Sequence, residues 1–262
     1  MKLGVIGRGR AASALVPRWL AAGHTIDQRR DDVGGIDADV IVLAVPDGAI
    51  EEVARALDGV GQIWLHLSGA KPSSILRVND QPRAVGCLHP LVALVDAESA
   101  LDGAVAGIEG EPEAVAVATQ LARDVGLVPQ PIDPAKKAIY HAAAVTVAGH
   151  ATALFAQAMG MMAAAGMDPE TARRALGPLF RSAAHNLERG DPASVSTGPI
   201  VRGDAATIAA HLDALDRWDP NDAATYRLLA TTALGLVGER LSAAERAAIS
   251  AVLSAAPGPA RA

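Results

Sequence analysis

Gly7, Gly9 and Ala12 stand at G-x-G-x-x-A spacing within Val5-Ile6-Gly7-Arg8-Gly9-Arg10-Ala11-Ala12. The run lies between an apolar segment that reads as a strand and one with helical apolar spacing, the context that gives the motif meaning. Gly7 permits a tight turn, Gly9 lets a pyrophosphate approach the backbone, and Ala12 lets the helix pack closely on the strand. Phosphates would rest on the backbone N–H groups from Arg8 through Ala11 and Ala12, and Arg10 adds charge there. About 20 residues on, the motif places a ribose reader, an acid for NAD or an arginine for NADP. Asp27-Gln28-Arg29-Arg30-Asp31 occupies that stretch. Arg29 and Arg30 favour a 2′-phosphate, because a guanidinium grips phosphate bidentately. Asp27 keeps NAD open. NADP (NADPH) is the expected cofactor. Ala44-Val45-Pro46 follows a buried strand at the end where open α/β sheets bind ligands, and is small enough for a nicotinamide ribose to lie on its backbone.

A nicotinamide carries the hydride itself, so the protein must place a carbonyl or imine carbon beside it and supply a proton. The histidines are His24, His66, His89, His141, His150, His185 and His211, with none at HExxH spacing, so no metal site is expected. His141 is the first candidate for acid–base work, since imidazole exchanges protons near neutral pH; a packed histidine in an alanine-rich helix is the alternative. Tyr140 and Lys137 share its helical turn as reserve donors. His89, at a strand end before Pro90, faces a cleft or bonds a loop. Ser68 and Gly69 follow another strand end and could bind substrate or nicotinamide, or make a Ser-Gly turn. Arg202 is a candidate carboxylate clamp, or a partner in a helix-entry salt bridge. Asp204 reads as a helix N-cap, and Cys87 as a buried strand residue.

The elements that must position these residues alternate. Strands are predicted over Lys2–Ile6, Thr25–Gln28, Val40–Val45, Gln62–His66, Ala84–Leu88, Val105–Ile108 and Leu127–Gln130, and helices over Ala11–Ala22, Ile50–Leu57 and Glu113–Val125. This spacing implies βαβ units and an α/β, Rossmann-type, doubly wound and mostly parallel sheet. The continuous apolar run VIVLAV marks a strand buried on both faces. Pro129, Pro131 and Pro134 read as a linker, after which everything is helical. Helices are expected over Lys136–Ala165 (weakened at Gly149 and Gly160), from Asp168-Pro169, and over Ala205–Arg217, Ala223–Arg240 and Ala243–Leu253, with a frayed APGPARA tail. The expected organisation is residues 1–132 as a dinucleotide-binding domain and 133–262 as an all-helical substrate and dimerisation domain.

Half of the 262 residues are hydrophobic and a fifth are charged, a globular composition. The net charge of −6 disfavours a phosphate-tracking nucleic-acid binder. The single cysteine excludes an intramolecular disulfide and a Cys-cluster metal site. No uninterrupted apolar run reaches the ~18 residues of a membrane span, and no signal-peptide pattern precedes the first strand, so no membrane partner and a cytoplasmic location are expected.

The chain resembles the 6-phosphogluconate dehydrogenase-like superfamily, which includes pyrroline-5-carboxylate reductase and the F420-dependent type of NADP oxidoreductase. More narrowly, it is similar to a bacterial group with a Rossmann-like domain and a helical C-terminal domain of unknown function. The resemblance rests on GRGRAA, LAVPDGAI, HLSGA (His66 to Ala70), GCLHPL (Gly86 to Leu91), YHAAAV (Tyr140 to Val145) and TGPIVRGD (Thr197 to Asp204). It implies NADP(H)-linked oxidoreduction and a homodimer joined through the helical domain; the fold rule for open α/β sheets puts a small-molecule substrate between the two domains. Superfamily members tend to place a catalytic Lys or Asn where Lys137 to His141 stand. One departure is Gly149-His150 where relatives are expected to carry Asn; a substrate contact is then lost or taken over by His150. The alternative is a catalytically inactive NADP-binding regulatory or scaffold dimer, and a further one a structural dimer with an empty glycine loop.

Overall fold

The computed structural model describes residues 1–30, 35–57, 60–79 and 82–256, so Asp31 and all but the first residue of the APGPARA tail lie outside it. Seven strands form one sheet: β1 (Lys2–Ile6), β2 (Thr25–Arg29), β3 (Val40–Leu43), β4 (Ile63–His66), β5 (Ala84–Pro90), β6 (Val105–Gly110) and β7 (Val128–Pro131). Their order is β2-β1-β3-β4-β5-β6-β7. Every neighbouring pair is parallel except β5 and β6. That one reversal sets Glu109 opposite Cys87. The chain leaves β1 toward β2 and crosses back to β3, so the switch point lies between β1 and β3.

Both faces of the sheet are covered, which is why β3 is apolar at every position. Val40 and Val42 join a core with α1 (Arg10–Ala21) and α3 (Pro112–Arg123); Ile41 and Leu43 face the opposite core with α2 (Ile50–Ala56). Trp19 of α1 is fully buried and its Nε1–H donates to the Leu121 carbonyl of α3 at 3.0 Å, tying the two helices.

α4 (Lys137–Ala164) runs unbroken through Gly149 and Gly160, so the expected weak points do not interrupt it. The chain divides into compact units at Met1–Ala151 and Thr152–Ala262, within α4 rather than at the Pro-rich segment, which instead contributes β7. The first half of α4 thus belongs with the sheet. Residues 134–164 form the one described helical stretch long and apolar enough to cross a bilayer, and its apolar window is unburied within the chain.

The second unit holds the remainder of α4, α5 (Pro169–Arg189), α6 (Pro192–Val195), α7 (Ala205–Trp218), α8 (Pro220–Val237) and α9 (Ala243–Ser254). Its core joins Ile208 and Leu212 of α7, Ala230 and Leu234 of α8, and Ile249 and Leu253 of α9. Caps set the helix starts: Asp168 for α5, Asp204 for α7, and a Ser242/Glu245 capping box for α9. α8 begins three residues before the expected Ala223, because Asp219 caps it and Pro220 takes the first position.

Candidate active site

The glycine loop is fixed by the ends of three strands. Gly7 has φ +119°, its N–H donates to the Arg29 carbonyl at 2.8 Å, and a Cβ there would lie 2.2 Å from the Ala44 oxygen. Only glycine fits both the conformation and the contact. Gly9 caps α1 with no side chain bonded to the first-turn N–H groups, and a Cβ at Gly9 would meet open space. Arg8, Gly9 and Arg10 are exposed, whereas Ala12 is fully buried against the sheet. The geometry fits a pyrophosphate on the start of α1, with Ala44-Val45-Pro46 alongside at the switch point.

Two of the three candidate ribose readers pair with one another. Arg29 clasps Asp27 bidentately, Nε to Oδ1 at 2.6 Å and Nη2 to Oδ2 at 3.0 Å, because residues two apart share one face of β2. The guanidinium holds the Asp27 carboxyl below the usual carboxylate range. Arg30 is exposed just beyond the end of the strand.

Farther along the same carboxyl edge, past β4 and β5, a second cluster forms. His89 Nδ1 lies 2.9 Å from the Tyr140 hydroxyl, and its ring stands edge-on to His141 with centroids 5.8 Å apart. Gly69 is wedged against both imidazoles: a Cβ there would come within 2.5 Å of His141 Nδ1 and 2.6 Å of His89 Nε2. Burial, then His141 and Lys137, lower the His89 pKa to about 4, so this ring is neutral at pH 7. Burial raises the Tyr140 hydroxyl to about 12.

Beneath this pair lies a buried polar cluster. Lys137 is 2% exposed, and its Nζ bonds the Ser68 carbonyl at 3.2 Å, Cys87 Sγ at 3.0 Å and Glu109 Oε1 at 3.1 Å. Glu109 also accepts the Ser73 N–H and hydroxyl, both at 2.7 Å. His66 is fully buried; its Nδ1 accepts the Ser68 N–H and its Nε2 has no bonding partner. Burial, then Lys137, lower its pKa to about 3, and burial pushes the Cys87 thiol up to about 11. His66, Cys87 and Glu109 could hold a metal by type and proximity, but the Lys137 ammonium already sits against two of these three donors.

The structure therefore groups Ser68, Gly69, His89, Lys137, Tyr140 and His141, and changes what several of them can do. Lys137, a reserve proton donor by sequence, has its N–H groups committed to three buried acceptors. Tyr140 lies over Gly107 of β6, where a Cβ would meet its hydroxyl at 2.6 Å, and backs His89 instead of presenting a free phenol. The Ser68 hydroxyl accepts the Ala70 and Lys71 N–H groups and is thereby committed to the turn. Arg202 is exposed in the turn before α7, in the second unit. His150 is exposed on α4, nine residues past His141. Sequence reading missed the roles of His66, Ser73 and Glu109. The one available signal was Glu109 itself, a carboxylate inside the otherwise apolar strand VAGIEG.

A family model described as a domain of unknown function (DUF2520) matches residues 104–233. The segment runs from β6 into α8 and supplies Glu109, Lys137, Tyr140 and His141, while the glycine loop, Gly69 and His89 precede it. No curated protein matches the chain. Among solved structures, a Bacteroides fragilis protein provisionally named an NADP oxidoreductase is 18% identical with a TM-score of 0.73, over 88% of this chain and 97% of that one. Protein TM1727 from Thermotoga maritima is 21% identical with a TM-score of 0.73, over 91% and 99%. Plasmodium falciparum pyrroline carboxylate reductase, solved with NADP bound, is 12% identical with a TM-score of 0.60, over 95% and 98%. These likenesses establish the fold: a Rossmann-type sheet followed by helices.

Proposed function

We propose that the chain is an NADP(H)-dependent oxidoreductase that transfers a hydride between nicotinamide and a small carbonyl, imine or hydroxy-acid substrate. The observation that carries this reading is the glycine loop locked at the switch point, on the same carboxyl edge as a pair of imidazoles. The reductase names of the structural neighbours support it. The cofactor, when bound, supplies the hydride. Gly7, Gly9 and the first turn of α1 hold the pyrophosphate, with Arg10 beside it. Arg30, with Arg29, reads the 2′-phosphate. Ala44-Val45-Pro46 gives the nicotinamide ribose a flat backbone. His141 is the proton donor; its Nδ1 is turned onto Gly69, which leaves Nε2 as the working atom. Neutral His89, backed by Tyr140, orients the substrate oxygen or nitrogen.

Calorimetric titration of the purified chain with NADPH and NADH tests the cofactor half. NADPH is expected to bind more tightly, with Arg30→Ala weakening it. Arg29→Ala should move preference toward NADH, because it frees Asp27 for a ribose hydroxyl. Equal affinities unchanged in both variants would overturn the preference. In an NADPH-oxidation assay across carbonyl and imine substrates, His141→Ala should lower turnover by roughly 10²–10⁴-fold with NADPH affinity intact. Binding without turnover across the panel would favour the scaffold alternative.

A further inference from the structure

The Lys137–Glu109 pair is more elaborate than a strand–helix tie requires. It grips the segment after β4 at two places, the Ser68 carbonyl through Lys137 and the Ser73 N–H and hydroxyl through Glu109. Between them, the Ser68 hydroxyl closes the turn by accepting the Ala70 and Lys71 N–H groups. The turn is thus held at both ends and braced in its middle, and Gly69 is its apex. Gly69 carries no positive φ, so backbone conformation does not demand glycine here. Space does, since any Cβ would strike both His89 and His141.

We infer that Lys137, Glu109 and Ser73 form a clamp whose role is positional: it presses the Gly69 backbone between His89 and His141 and so fixes the spacing of the two imidazoles. Lys137 is a positioning residue. The clamp spans β4, β5, β6 and the first turn of α4, and would set the two rings before any ligand arrives. Its catalytic consequence rests on the oxidoreductase reading above, whereas the geometric claim stands by itself.

The test uses the whole chain and reads ring-to-ring coupling. The groups facing His89 are Tyr140, His141 and Lys137 from α4, His66 at the end of β4, and Asp47 after β3. The His141 ring holds the His89 pKa down, so His141→Gln should raise the His89 midpoint, followed by imidazole NMR, by about half a pH unit or more. Lys137→Met/Glu109→Gln removes the clamp while replacing both charged partners together, which leaves no buried charge unpaired. In that background His141→Gln should leave the His89 midpoint unchanged, because the rings have separated. Taking the effect of His141→Gln within each background cancels the direct field of the lysine. Gly69→Ala should abolish the coupling with the clamp intact. If the paired variant lowers thermal stability but retains wild-type coupling, the clamp is merely structural and the inference fails. If the paired variant does not fold, Gly69→Ala decides alone, and retained coupling there overturns the proposal. NADPH titration of wild type runs alongside: failure to bind would remove the oxidoreductase reading and leave the coupling result standing.

Discussion

Gly7 shows how much one residue can carry. Its φ of +119° and the 2.2 Å that would separate an added methyl from the Ala44 carbonyl oxygen leave no room for a side chain. Gly7→Ala should cost at least ~1–3 kcal/mol from backbone strain alone, read by urea unfolding, and should abolish NADPH binding because the loop must move off β3. The two neutral histidines carry a second prediction. His66 and His89 have folded pKa values of about 3 and about 4 against an ordinary 6.5. Below pH 6.5 the unfolded chain takes up protons that the folded chain refuses, so stability falls as pH drops from 6.5 toward 3. Thermal midpoints should decline over that window, and His66→Gln should flatten part of the slope. A profile equally steep in the variant would show that other groups govern it.

The element that organises the cluster is the first turn of α4. Its Lys137 is buried opposite Glu109 only because β6 runs antiparallel to β5 and sets residue 109 beside Cys87. Breaking such a pair from one side leaves a buried charge uncompensated, whereas removing both partners is nearly neutral. Lys137→Met and Glu109→Gln should therefore each destabilise by roughly 3–5 kcal/mol, with the paired variant recovering most of the loss in denaturant unfolding. Additive losses would mean that the two side chains do not act as a pair. The sheet strands were legible because apolar period and length survive in sequence, as β3 shows. The turn at Ser68-Gly69 was legible only as a turn, since its anchors are supplied by residues 109 and 137.

On the scale of the whole chain, α4 is the unexplained surface. Ile139 is 71% and Val147 78% exposed, although the helix is alanine-rich and strongly apolar throughout. Exposed apolar area of this extent calls for a covering partner. A second copy of the chain is the expected one, giving a homodimer. Light scattering at micromolar concentration without detergent should give twice the chain mass. A monomer that sediments with lipid vesicles would instead assign the helix to a bilayer surface.

The sequence by itself determined the alternation of strands and helices, the strand buried on both faces, the glycine turn into α1, and the capped starts of α5 and α7. Each of these is written in residues within a few positions of one another, where periodicity, caps and glycine conformation act. The tertiary structure decided which charges are free. Asp27 and Arg29, two residues apart, could each have faced a ribose until the strand placed them on one face. Lys137, a reserve donor by sequence, is held by partners 28, 50 and 69 residues away. Local pattern records which way a side chain points along its own element. What it meets there depends on strand order and direction, which the packing of the whole sheet fixes.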